Sequence, residues 1–231
     1  MNEKIIIDKR FCGPETSGNG GYACGLMAQY IKGTVEVTLR KPPPLNKPLN
    51  VTRQKNQVLL NDGEALIAEA CPGKLDIAIP KPPSFKEATE ALEQYRGFNY
   101  HPWPHCYVCG PLHPGGMGIH PGPVKERNIV ASPWIPEDYQ AGKDKIVHPK
   151  FQWAALDCPG FFSFRNDISM LLGRLTARIE NSVRVGEKYI TIAWPIFTEG
   201  RKHTTGSALF SENGNLCSAA RGTWIEAQLE K

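Results

Sequence analysis

No apolar run in this 231-residue chain approaches the length of a membrane span. Its first ten residues, Met1 to Arg10, have neither the apolar core nor the cleavage site of a secretory signal. A large excess of charge of one sign is lacking too. The formal net charge is +4 with the basic residues scattered, so composition gives no reason to expect nucleic acid and leaves room for an acidic small molecule. Seven cysteines, an odd number, are spread along the chain, which argues against a secreted disulfide framework. These absences set the expectation of a soluble, cytoplasmic protein with reduced thiols, no membrane contact and no nucleic-acid partner. Cys24, Cys71, Cys158 and Cys217 lie in apolar surroundings, where a free thiol behaves as a small hydrophobe.

Metal ligands at regular spacing are missing too. Cys106 and Cys109 form a C-x-x-C pair beside His105, but a structural zinc site needs four ligands, and no second C-x-x-C or H-x-x-x-H pair follows. His101, His113 and His120 are irregularly placed. The expectation is that no metal binds and that the pair marks a tight turn into the second part of the chain. Nothing around it reads as a βαβ unit, which argues against a redox role.

What is present looks duplicated. Asn61-Asp62-Gly63 separates Gln57–Leu60 from Glu64–Ala70, and Glu212-Asn213-Gly214 separates Thr204–Ser211 from Leu216–Glu226. Both read as hairpins, because Asp-Gly and Asn-Gly supply the positive φ of a tight β-turn. Upstream lie β-rich segments, Thr34–Leu39 and Leu49–Gln54 in the first half, Leu175–Ser182 and Tyr189–Phe197 in the second. Further upstream comes a short apolar helix in each, the glycine-opened run Ala23 to Ile31 and Phe151 to Arg165. Ser84 and Glu87 form a capping box before Phe85, Ala88, Leu92 and Tyr95 at helical spacing, which marks a connecting helix. Gly97–Pro104, aromatic and proline-bearing, is expected to run extended over the first half. The reading is α+β, with halves at 1–80 and 106–231 joined by 81–105. Either sheet alone would leave an edge and a helix face uncovered, so the halves should pack as one unit and the chain should form a homo-oligomer.

Ser17-Gly18-Asn19-Gly20-Gly21-Tyr22 opens the first helix with bare glycines. The first turn of a helix has no intrahelical acceptors for its amides, so such an end holds an anion or a polarised carbonyl, or is simply a tight turn. In the second helix Asp157 stands among Ala154, Ala155, Leu156, Phe161 and Phe162. A carboxylate in an apolar run needs a partner, and carboxylates held that way are concentrated at functional sites.

The Asn-Gly-Gly-Tyr helix entry and Ala154-Ala155-Leu156-Asp157 resemble the double hotdog arrangement of acyl-CoA thioesterase II type enzymes. The second half is also similar to uncharacterised thioesterase-like hotdog proteins, through Cys106-Tyr107-Val108-Cys109-Gly110-Pro111, Trp153–Pro159, Leu171–Leu175, Gly200-Arg201-Lys202 and Ser207-Ala208-Leu209. The resemblance implies two antiparallel sheets, each wrapped around a central helix and joined edge to edge, with an acyl thioester between the helices. It implies that Asp157 is the general base on water, that the Gly20 and Gly21 amides polarise the carbonyl, and that Asn19 orients the acyl group or the water. Tyr22 and Trp153, beside these motifs, join the substrate-binding candidates. No cofactor is implied beyond coenzyme A carried in as part of the substrate.

The chain departs from that pattern on its last strand, where Ser218-Ala219-Ala220-Arg221-Gly222 has no glutamine. Arg221 is open to three roles: pairing with Asp157, holding a substrate carboxylate, or capping the mouth. Thr176 and Ser182 are the candidate hydroxyls. Arg201 and Lys202 are the first choice for the phosphates of coenzyme A, with Arg40 and Lys41 the second. Lys41–Pro48 reads as a rigid connection between strands. Three classes of function follow: hydrolysis of an acyl thioester, hydration or dehydration of an acyl-CoA, and binding without catalysis.

Overall fold

Asp62-Gly63 and Asn213-Gly214 turn the chain where the sequence places them, with Gly63 at φ +59° and Gly214 at φ +81°, a region open to glycine at no steric cost. The computed structural model describes residues 3–164 and 168–227. The first half contributes β1 (Glu3–Ile6), α1 (Gly20–Ala28), β2 (Val35–Leu39), β3 (Pro48–Gln54), β4 (Gln57–Asp62) and β5 (Ala65–Pro72). A connecting helix, α2 (Phe85–Glu93), follows. The second half adds β6 (Gly122–Pro123), β7 (Val130–Trp134), α3 (Pro149–Ala155), α4 (Cys158–Phe162), β8 (Met170–Ile179), β9 (Tyr189–Glu199), β10 (Lys202–Ser211) and β11 (Leu216–Glu226).

The strands run β1-β3-β4-β5-β2-β8-β11-β10-β9-β7-β6. The order β1-β3-β4-β5-β2 recurs in reverse as β8-β11-β10-β9-β7, so the two halves repeat one topology. The halves are joined edge to edge into one eleven-stranded sheet. Pairing of β2 with β8, Val37 opposite Leu175 and Val35 opposite Ala177, removes the edge each half would otherwise expose. On one face of this seam the Thr176 hydroxyl donates to Glu36 Oε2 at 3.0 Å and Arg174 Nε donates to Thr38 Oγ1 at 3.0 Å. On the other, Val35, Val37, Leu175 and Ala177 enter the core between sheet and helices.

Both faces of the second half are covered. A separate apolar cluster on the back of β7, β9, β10 and β11 is closed by Ala88 and Ala91 of α2, with Leu75, Ile77 and Ile79 packed against it. The Ser84–Glu87 capping box is present in full. Gly97–Pro104, expected to run extended, instead opens in a 3-10 turn at Arg96–Phe98. Its rings find partners on α4, Trp103 against Phe161 at 5.8 Å and His101 against Phe162 at 5.4 Å.

The helices are shorter than expected. Pro159 has no N–H and its ring crowds the carbonyl four residues earlier, so α3 stops at Ala155 and the chain restarts as α4. Arg165, expected to end this helix, lies outside the described residues. The Leu156 carbonyl freed at the break accepts the Ser207 hydroxyl at 2.7 Å. Among the described residues no helix is long and apolar enough to cross a membrane.

Candidate active site

Asn19 starts α1, its Oδ1 accepting the Tyr22 N–H at 2.9 Å. Gly21 and Gly25, one turn apart, then let α3 approach closely. A Cβ at Gly21 would stand 2.4 Å from Asp157 Cβ and 2.7 Å from the Trp153 carbonyl oxygen, and one at Gly25 would stand 2.6 Å from Lys150 Cα. The crossing brings Asp157, at the α3–α4 break, against the first turn of α1, where its Oδ2 accepts the Gly21 N–H at 2.7 Å. The Gly21 amide is therefore committed to the carboxylate and not free for a carbonyl. The Gly20 N–H, first in the helix, has no acceptor in its own helix.

Asp157 is 3% exposed. Burial pushes its carboxyl up to about 7, against the Gly21 amide, which favours the charged form. Its Oδ1 is buried with no hydrogen-bond partner. The residue lines a cavity of about 420 Å³, within the usual range for a small-molecule site. One wall is apolar, with Leu172, Met170, Phe161 and Trp224. The loop 13–18 and Leu39–Pro43 form another, tied together by Gly18 N–H donating to the Pro43 carbonyl at 2.8 Å.

Several expected residues lie elsewhere. Tyr22 and Trp153 do not line the cavity; Tyr22 is stacked on Phe11 at 4.2 Å in the aromatic core, and both are buried. Arg221 stands opposite Thr176 in register. Alternation along β11 puts it on the face away from Ala220 and Trp224, which pack toward the helices, so it does not meet Asp157. Thr176 shares that outer face and is spent on Glu36, while Ser182 is exposed in the β8–β9 connection. Arg201 and Lys202 sit at the β9–β10 turn, where an Arg201 guanidinium nitrogen donates to the Glu226 carbonyl at 2.7 Å, and neither lines the cavity. Arg40 and Lys41, the second choice from sequence, do.

Sequence spacing also missed a cluster. Cys158, next to Asp157, joins Cys106 and Cys109, and the three Sγ atoms lie within 4.8 Å of one another at the cavity wall. Cys106 and Cys158 are 3.7 Å apart. His101 Nε2 is 3.3 Å from Cys109 Sγ, and its Nδ1 accepts the Trp103 N–H at 2.9 Å. Burial holds His101 down to about 4, so the ring is neutral with its proton on Nε2. Asn19 Nδ2 lies 3.6 Å from Cys158 Sγ and 3.8 Å from Cys106 Sγ. Contacts from Cys109 and Cys158, with the Cys109 and Val108 amides, pull the Cys106 thiol well below its usual range, while burial pushes Cys109 and Cys158 up.

No family profile matches the chain. No curated protein matches its sequence. Solved structures do match its fold. The acyl-CoA thioesterase II of Mycobacterium marinum superposes at TM-score 0.62 and 10% identity, over 98% of this chain and 93% of that one. A conserved hot dog fold protein of unknown function from Alicyclobacillus acidocaldarius gives 0.62 at 7% identity, over 99% and 93%. The chain has a hotdog fold. A putative thioesterase II from Thermobifida fusca adds a third case, at TM-score 0.61 and 14% identity over 97% of this chain and 92% of that one. At these identities the likeness is one of fold.

Proposed function

We propose that this hotdog protein hydrolyses an acyl thioester, of the coenzyme A ester class, in the cavity beside Asp157. The observation that carries the reading is the carboxylate itself, fixed through Oδ2 by the Gly21 amide and left with an unpartnered Oδ1 at a largely apolar cavity. Oδ1 takes a proton from water as the oxygen attacks the thioester carbon. The Gly20 N–H and the positive end of α1 face the charge that develops on the carbonyl oxygen. Collapse of the tetrahedral intermediate breaks the C–S bond, and the thiolate leaves with the proton held by Asp157.

Arg40 and Lys41, at the cavity wall, suit the phosphates of coenzyme A better than Arg201 and Lys202. Arg40 is paired with Glu69; Lys41 has no ion pair among the described residues. The position of Arg221 weighs against the two other classes. A hydratase using Arg221 to hold an acyl carboxylate, and a binding protein with Asp157 locked to Arg221, both need that side chain at the cavity. The test is a panel of short, long and aromatic acyl-CoA esters with products identified by mass spectrometry, since the protein's own thiols would consume a colorimetric thiol reagent. Free acid and free coenzyme A are expected. A hydrated acyl-CoA, or bound ester with no product, would replace the reading.

A further inference from the structure

The three-thiol cluster is unlike ordinary buried cysteine. A cysteine packed as a small hydrophobe has no use for hydrogen-bond donors, yet Asn19 Nδ2 and His101 Nε2 both stand within hydrogen-bonding reach of these sulfurs. Such a donor set stabilises thiolates. The chain is also shaped to build it. A Cβ on Gly110 would stand 2.4 Å from both the Cys106 nitrogen and the Pro104 carbonyl oxygen, so the turn after Cys-x-x-Cys closes only with glycine, and Gly110 N–H donates to the Cys106 carbonyl at 2.8 Å. Cys158 then arrives from the α3–α4 break.

We propose that Cys106, Cys109 and Cys158 bind one zinc ion, with the fourth coordination position open to the cavity. Two thiolates each about 2.3 Å from one tetrahedral ion lie about 3.8 Å apart. Cys106 and Cys158 already stand at 3.7 Å. Soft sulfur ligands in tetrahedral geometry select zinc over harder divalent ions. Binding displaces one proton from each thiol, and the resulting negative charge falls among the donors named above. His101 is not the fourth ligand, because its Nδ1 accepts from Trp103 and its Nε2 carries the proton donated to Cys109. All three thiols line the cavity, so the open position takes water or a ligand group from that side. The expectation from spacing counted two thiols; the fold assembles three, and a site with an open position needs no fourth protein ligand.

The proposal stands apart from thioester hydrolysis: a zinc protein that hydrolyses nothing leaves it intact, and a zinc-free hydrolase overturns it alone. The experiment uses the whole 231-residue chain expressed with zinc, purified under reducing conditions and dialysed against metal-free buffer. Elemental analysis is expected to give one zinc per chain, lost in Cys106→Ser and Cys158→Ser and kept in Cys217→Ser. Because unfolding of a cysteine variant would also release zinc, X-ray absorption on the unaltered protein is the second measurement. Three sulfurs and one oxygen are expected; four sulfurs, or the scattering of a bound imidazole, would overturn the open position. Absence of zinc, with no tetrahedral cobalt(II) spectrum on reconstitution, or a Cys106–Cys158 disulfide in protein kept reduced, would overturn the site.

Discussion

An alanine at Gly21 puts two opposing effects on one residue. Helix propensity alone would make Gly21→Ala more stable by about 1 kcal/mol. The new methyl, however, would meet Asp157 Cβ and the Trp153 carbonyl oxygen, neither of them the far end of a flexible side chain. Overpacking of this kind costs about 1–3 kcal/mol, so the clash wins. A lower urea midpoint is expected, with turnover falling further than stability explains, because the carboxylate is pushed off the amide that orients it. A raised midpoint would mean that α1 and α3 do not cross this closely. From sequence, the paired glycines read as a source of bare amides, but the Gly21 N–H is taken by Asp157 Oδ2. Gly21 serves a helix crossing with a residue 136 positions away, which no local pattern announces.

At the scale of elements, the break between α3 and α4 positions the chemistry. It turns Asp157 toward α1 and Cys158 toward the other thiols, and it leaves the Leu156 carbonyl to be satisfied by Ser207 of β10. Ser207→Ala would strand that carbonyl in a buried place. The expected cost is about 1–3 kcal/mol, read as a lower melting temperature, together with reduced turnover. An unchanged melting temperature would show that the break holds itself. The elements themselves were largely legible. Asp-Gly and Asn-Gly fixed both hairpins, and Ser84 with Glu87 fixed the start of α2. Pro159 was visible as well, but an apolar run on both sides of it read as one helix. The thiol cluster was not legible, since Cys106 and Cys158 are 52 residues apart and meet only through the break.

At the scale of the molecule, one sheet is covered on both faces along β11, where Cys217, Ser218, Ala219 and Ala220 are all buried. Alternation of polar and apolar residues therefore carries no signal there, and the face of Arg221 could not be read from its neighbours. The same continuity makes the halves dependent on each other. We expect 106–231 expressed alone to be insoluble or to self-associate through β8, which it would present as an unpaired edge. A cooperatively folded monomer in sedimentation would contradict that dependence.

The central claim is that Asp157 is the base of a thioester hydrolase, and Asp157→Asn tests it most directly. The substitution keeps the shape and an acceptor for the Gly21 amide while removing the charge. Release of free coenzyme A, followed by chromatography, should fall by about a hundredfold or more, the usual scale for a general base. Calorimetric binding of a non-hydrolysable acyl-CoA analogue should stay nearly unchanged. Equal release by the two proteins, or no release by the unaltered one, would contradict the account.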